Sequence, residues 1–481
     1  MPERKRYFFI IFGFSLLLLF YFMPELRPAV DPAGKEFALS QSGKAAIGLF
    51  LLAGIWWVFE VIPIGVTSIA IGLFQPLFQI REAKEAFRDF MDPTVMFILG
   101  SLIIGLAFTK AGITRRVAYK MLAIVGEDTR VILLGVFIIT AFLTHLMAHT
   151  AVAATMFPIL LSILALYGEG EKPSKFGKAM FIGMAYAAGA GSIATMLGGA
   201  RNPAAVGFFK EFTGQEVSFI EFSQHLLPFG WLSVILIWIL MITLFKPEKI
   251  KIPGLRETAK DLYKQLGPVT RQEIFVLVVV ALALSVLVVQ SFVPALKTID
   301  RSVPLLAAGL IFFIVRILTV QDLEKSIPWN IVLLFSGAMS IGFALWKSGA
   351  AQWMAVNWLS MLQGAHWLIF VLGISVLVLV MTNFIMNVAA IAITLPVALV
   401  IAQYLGVNPY LVLYAATAMA GMPFLLLIGA APNAIAYESR QFTTGEFFVT
   451  GIPASLVILA LLVILIFTLW PAMGMYPLAG L

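Results

Sequence analysis

The chain has 481 residues, of which 61% are hydrophobic and only 12% charged; an ordinary soluble domain has about a quarter of its residues charged, so a water-soluble globular fold is excluded. With no cysteine, disulfides, thiol nucleophiles and cysteine-ligated metals are excluded as well. The formal net charge of +7 reads as loop lysines and arginines that anchor membrane segments, not as a nucleic-acid surface.

Apolar runs near the roughly 20 residues needed to span a bilayer recur from Tyr7 to the C-terminal end. They predict an all-α, polytopic helical membrane protein of about eleven crossings. The opening "MPERKRYFFIIFGFSLLLLFYF" has no small-x-small site after it and reads as an uncleaved first helix, with an external loop up to residue 44. Arg4, Lys5 and Arg6 place the N-terminus in the cytoplasm. Residues 45–245 form a first block with a re-entrant hairpin near 131–165. The basic stretch 246–271 is a cytoplasmic linker. Residues 272–470 form a second block with a hairpin near 367–403, and 471–481 are an external tail. Glu60 is expected to do a structural job at the end of the second helix, and Lys110 and Lys347 to snorkel from helix ends.

The two blocks repeat. "FILGSLIIGLAFTKAG" (97–112) aligns with "LLFSGAMSIGFALWKSG" (333–349), placing Gly100, Gly105, Lys110 and Gly112 on Gly337, Gly342, Lys347 and Gly349. "THLMAHTAVAATMFP" (144–158) aligns without a gap on "TNFIMNVAAIAITLP" (382–396), and "LGGARN" (197–202) on "IGAAPN" (428–433). The offsets are 237, 238 and 231 residues, in one order. Five crossings per block is an odd number, so the copies must be inverted in the membrane. Inverted repeats of this kind place a binding site near the midplane, at broken helices. The breaks are supplied by Gly198, Gly199 and Pro203 and by Gly429 and Pro432, and the stretches 144–150 and 382–388 suit hairpin tips.

These segments, with "FEVIPIGVTSIAI", "GSIATMLGGARNPA" and "APNAIA", resemble the divalent anion/sodium symporter family of di- and tricarboxylate and sulfate carriers, from about Ala45 to the last helix. The resemblance implies a homodimer in a bacterial inner membrane, with a static scaffold and an elevator-type transport domain. It also implies a small anionic substrate held where a Ser-Asn-Thr triplet at each tip meets a broken-helix loop, with Na⁺ as coupling ion and no other cofactor. Carried over residue by residue, the substrate shell is His149, Thr150, Asn387, Val388, Arg201 and Pro432. The ion-binding set is Thr144, Ala148, His149, Gly198 and Asn202 in the first half and Thr382, Asn387, Gly429 and Asn433 in the second. The triplets read Ala148-His149-Thr150 and Met386-Asn387-Val388, so only Thr382 and Asn387 offer a side-chain Na⁺ pair close to the family's.

Two coupling modes follow. Na⁺ symport runs through the second site; alternatively, Na⁺-independent exchange or proton-linked transport runs with His149 in place of a sodium-site residue. His149 also has a bland reading as a packed polar residue, with His145 behind it. The i, i+4 pair is no zinc site, because Glu does not follow His145 and no acid or cysteine is near. Arg201 is either a counter-charge to an anion or an arginine reaching away to water. An ATP-driven pump is excluded: the "SGK" ending at Lys44 has Ala38 and Ala45 where a phosphate-binding loop needs Gly and Ser or Thr. No acid–base cluster supports a membrane enzyme.

Overall fold

The computed structural model describes residues 3–30, 36–59, 61–168, 173–290, 292–293, 296, 298–361, 366–384 and 386–478; Glu60 lies outside them. After α1 (Glu3–Phe22), the first block runs α2 (Gln41–Val58), α3 (Ile64–Leu77), α4 (Ala83–Arg88), α5 (Pro93–Ala111) and α6 (Ile113–Val125). A helical hairpin, α7 (Thr129–Thr144) and α8 (His149–Tyr167), follows. Next come the halves of a broken helix, α9 (Lys175–Ser192) and α10 (Arg201–Thr213), and then α11 (Phe219–Leu244). The second block has the same parts. They are α13 (Arg271–Gln290), α14 (Ser302–Ile314), α15 (Val320–Lys325), α16 (Trp329–Lys347), α17 (Ala350–Met361), the hairpin α18 (Trp367–Phe384) and α19 (Asn387–Tyr404), the broken α20 (Pro409–Ala420) and α21 (Ala431–Tyr437), and α22 (Thr444–Phe467). Among the described residues nine helices are long and apolar enough to cross a bilayer. The chain is a polytopic helical membrane protein.

Local chemistry sets the helix ends. Asp92 accepts from Thr94 N ahead of Pro93, Asp128 caps α7, Ser174 caps α9 and Asn408 caps α20 ahead of Pro409; each side-chain oxygen satisfies donors the first helical turn leaves free. Gly112 and Gly349 end α5 and the turn after α16 at φ +85° and +74°, a left-handed conformation that favours glycine.

The blocks are interlocked rather than stacked. α5 packs on α14, while its counterpart α16 packs on α3. A methyl group at Gly100 would lie 2.7 Å from Leu305 Cβ, and one at Gly337 would lie 2.4 Å from Ser68 Cβ; Leu305 and Ser68 are themselves 237 positions apart. Small residues let these backbones approach. The same exchange joins α8 to α21 and α19 to α10, so each hairpin is docked on the other block's broken helix.

The ends of α5 and α16 correct the snorkelling expectation. Lys110 is paired with Asp322 of α15, and Lys347 lies 3.9 Å from Glu85 of α4; Asp322 and Glu85 are also 237 apart. The Lys110 ammonium holds the Asp322 carboxyl down to about 2. The linker is a docked strap containing α12 (Leu255–Gln265). Thr129 N donates to Ile250 O and Ile252 N to Glu127 O, both at 2.9 Å. Glu248 accepts from Lys175 N at 2.6 Å and from Tyr167 Oη at 2.9 Å, tying the hairpin's end to the start of α9.

Gly337→Ala is expected to lower stability by about 1–3 kcal/mol, because its methyl group must push two helices apart. Gly373→Ala, with open space around the new atom, is expected to be neutral or to stabilise by about 0.5–1 kcal/mol. Thermal unfolding of the two variants in detergent checks the contrast.

Candidate functional site

Both hairpin tips have one construction. α7 ends at Thr144 and α8 begins at His149, with Ala148 extended at φ −54°, ψ 133°. α19 begins at Asn387 after Met386 at φ −59°, ψ 140°. Backbone groups at such breaks cannot stay unpaired inside a membrane, and two asparagines close them identically. Asn202 Nδ2 donates to Ser192 O at 2.8 Å and to Thr195 O at 2.7 Å. Asn433 Nδ2 donates to Pro423 O at 2.7 Å and to Leu426 O at 3.1 Å. The acceptors lie ten and seven residues back in both halves. Each clamp brings a loop glycine against a hairpin tip. A methyl at Gly198 would meet Thr144 O at 2.5 Å, and one at Gly429 would meet Thr382 O at 2.9 Å.

The two tips differ in what fills them. In the second half Thr382 Oγ1 lies 3.0 Å from Asn387 Oδ1 and 2.9 Å from Ala420 O, donating to them. Three neutral oxygens therefore converge at the Thr382 hydroxyl, the kind of donor a hard cation takes. Asn383 Oδ1 meanwhile accepts from Leu425 N at 2.7 Å and Leu426 N at 3.1 Å and holds the loop.

In the first half Thr144 Oγ1 turns back to Ala141 O at 2.7 Å, and His149 occupies the place of Asn387. Ser192 Oγ donates to Gly189 O at 2.7 Å, and Gly189 is the counterpart of Ala420 at the 231-residue offset. Ser192 Oγ in turn accepts from Arg201 Nη2 at 2.7 Å. The first set of oxygens is thus closed by an internal donor chain, apart from Asn202 Oδ1, which has no partner among the described residues.

Arg201 is 1% exposed, which overturns the reading that it reaches away to water. No ion pair to it occurs among the described residues, and its Nε has no partner among them. The guanidinium lies where a methyl at Gly199 would meet Nη1 at 2.7 Å and one at Gly421 would meet Nη2 at 2.8 Å, so it spans both broken-helix loops. His149 faces the Gly198 backbone in the same electrostatic neighbourhood, and its Nδ1 lacks a partner among the described residues. His145 stands behind, with Nδ1 3.0 Å from Gly191 O and its carbonyl accepting from Thr195 Oγ1 at 2.6 Å.

The structure brings Thr144, Gly198 and Asn202 together at the first break and Thr382, Gly429 and Asn433 at the second, with Asn387 on Thr382 and Arg201 reaching from the first loop to the second. Asn202 and Asn433 clamp loops, Gly198 and Gly429 permit the close approach, and Thr382 with Asn387 forms the oxygen cage. Thr150 is half-buried in the first turn of α8, Val388 is buried beside Asn387, and Pro432 is buried at the start of α21. Sequence reasoning missed Ser192, Thr195, Asn383 and Ala420. The aligned tip motif already sets Asn383 opposite His145 at the 238 offset, and carrying the 231 offset beyond the loop motif sets Ala420 opposite Gly189. A cavity of about 550 Å³ borders the first break only through Met196 and Pro203; Lys210, Glu216, Asp300 and Arg301 lie at its rim, and it holds none of the tip residues.

Helical hairpins meeting paired broken helices, with oxygen donors and a buried cation between them, define the secondary-transporter class of membrane protein. Residues 31–476 match the sodium:sulfate symporter transmembrane region, and the chain belongs to that family. The sodium-dependent dicarboxylate transporter SdcS of Staphylococcus saprophyticus subsp. saprophyticus is 26% identical over 454 residues, 90% of this chain and 87% of that protein. Its namesake in Staphylococcus aureus strain MRSA252 is 24% identical over 476 residues, 95% and 89%. In fold the chain is similar to the Neisseria gonorrhoeae efflux pump MtrF, with a TM-score of 0.59 at 14% identity over 96% of this chain and 94% of that one. It is also similar to the Alcanivorax borkumensis transporter YdaH, at 0.61 and 15% over 99% of each.

Asn433→Ala leaves the buried carbonyls of Pro423 and Leu426 without their amide donor. Stability is expected to fall by about 2–4 kcal/mol, read as a lower unfolding midpoint. Asn433→Ser, which keeps one short donor, is expected to fall between the two.

Proposed function

We propose that this chain is a secondary active carrier of small divalent anions, dicarboxylates first, working by elevator-type alternating access with Na⁺ as the coupling ion. The observation that carries the reading is Arg201. A buried guanidinium without a carboxylate partner among the described residues is expensive in a membrane, and its planar fork matches a carboxylate bound in transit. The anion sits between the tips, with Arg201 as counter-charge and Asn387, Thr150 and the unpaired face of His149 as its polar partners. The cage of Thr382, Asn387 and Ala420 takes the cation. Family membership and the sodium-dependent dicarboxylate transporters among the relatives support the substrate and ion classes.

The remaining architecture belongs to the same reading: two inverted repeats, residues 45–245 and 272–470, in a homodimer of the bacterial inner membrane. The basic strap is cytoplasmic, the N-terminus is inside and the C-terminus outside. Gly112 and Gly349, both left-handed and with open space where a Cβ would stand, serve as the joints between the scaffold helices α5 and α16 and the arms α6 and α17.

A second reading rests on the closed first half. Because the Ser192 and Arg201 donors already fill it, His149 and Arg201 stand in for a bound cation, and the carrier exchanges anions without Na⁺ or couples to protons through His149.

Reconstituted protein is expected to take up labelled succinate down an imposed Na⁺ gradient, and Arg201→Gln to reduce that uptake at least about tenfold, the effect of losing one charged partner of a dianion. Uptake that ignores Na⁺ and requires an internal counter-anion decides for exchange. In that case His149→Asn must change the pH or cation dependence, or the histidine's role is discarded.

A further inference from the structure

The guanidinium of Arg201 comes from the first half, yet it lies against the second. A methyl at Gly421 would meet Nη2 at 2.8 Å, and the peptide plane ending at Gly421 carries the Ala420 carbonyl of the second-half oxygen cage. A cation taken by the cage would therefore lie beside the fixed charge of the buried guanidinium. Among the described residues no acidic side chain pairs with either.

We propose that Arg201 is the coupling residue of this site, making cation binding in the Thr382–Asn387–Ala420 cage conditional on an anion held at the guanidinium. This rests on the carrier reading above and adds to it the reason the two ligands move together. With the anion absent, the fixed charge repels the ion at the cage, and because Arg201 is buried, bulk solvent and salt screen that repulsion less than at the surface. A dianion on the guanidinium reverses the local charge, so each ligand raises the affinity of the other by one factor. A carrier so wired does not complete its cycle with the cation alone, which prevents an ion leak. The counterpart position in the second half is Pro432, so the device exists once, and it is asymmetric by sequence rather than by conformation.

The clamp geometry fixes that placement. Asn202, next to Arg201, is bound to Ser192 O and Thr195 O, and Ser192 Oγ holds Nη2. The guanidinium therefore cannot swing from Gly421 without giving up its hydrogen bond to Ser192 Oγ.

The test is ²²Na⁺ binding to purified full-length protein in detergent, with choline balancing ionic strength and succinate as the probe anion. In the unmodified protein, saturating succinate is expected to tighten Na⁺ binding by a factor within the usual range of about 5–150. Arg201→Gln is expected to bind Na⁺ without succinate at least about fivefold more tightly than the unmodified protein does. A purely structural or anion-binding role for Arg201 predicts equal or weaker Na⁺ binding in that variant. Arg201→Lys keeps the charge and must keep the weak anion-free affinity.

Should Arg201→Gln fail to fold, the succinate dependence in the unmodified protein and the Arg201→Lys result still decide. Equal Na⁺ affinity with and without bound succinate overturns the coupling role while leaving the carrier reading intact. Absence of Na⁺ binding under every condition removes the cage as a cation site and overturns both the coupling role and Na⁺ symport, leaving Na⁺-independent exchange.

Discussion

Inside a bilayer no water is available to pair a free N–H or C=O, and the rest of this structure depends on that constraint. Four helices stop inside the bundle, two at the hairpin tips and two at the breaks after Ser192 and Ala420. Each stop exposes carbonyls and amides that only protein can satisfy. Asn202 and Asn433 answer it with one side chain apiece, bonded to carbonyls ten and seven residues back. Once the loops are pinned, Gly198 and Gly429 sit against the Thr144 and Thr382 carbonyls, and backbone oxygens gather at two points. The site is a consequence of repairing broken helices.

The duplication makes this repair work twice and also makes the halves depend on each other. α5 needs α14, α16 needs α3, and each hairpin rests on the partner block's broken helix. Neither block has a complete core alone. The close approaches of Gly100 to Leu305 and Gly337 to Ser68, and the crossed pairs Lys110–Asp322 and Lys347–Glu85, are one contact made twice. The copies have drifted where function allows. Asp322 is fixed by the Thr319 capping box, whereas Glu85 is shared with Arg81 at 3.4 Å. The tips have drifted furthest: amide and hydroxyl oxygens in the second half, imidazole and guanidinium in the first. One half offers a seat for a positive charge and the other carries a positive charge of its own.

Much of this was legible in the sequence because the relevant signals are local or periodic. Span length and hydropathy gave the helices, and glycine and proline gave the breaks. The three aligned motifs gave the repeat, and with it the tips and loops that meet. What the sequence left open is where long side chains go. Lys110 and Lys347 read as snorkelling ends because their partners are more than 200 residues away. The linker read only as a cytoplasmic connection because nothing local announces that Ile250 and Ile252 pair with 127–129. Ser192 lies within the "GSIATMLGGARNPA" stretch but no repeat partner singles out its hydroxyl, since Pro423 stands at the 231 offset; Ala420 acts through a carbonyl that any residue possesses.

The sequence by itself determined that this chain lives in a membrane, that three of its motifs recur in order, and where its helices break, because bilayer thickness, helix-breaking residues and repeat spacing act on the chain locally. Only the tertiary structure decided which way Arg201 points. A flexible side chain of four rotatable bonds can reach water or the protein interior from one backbone position. The choice was made by Ser192, by the Asn202 clamp and by the space a glycine leaves at 421, contacts that exist only when both halves have folded against each other.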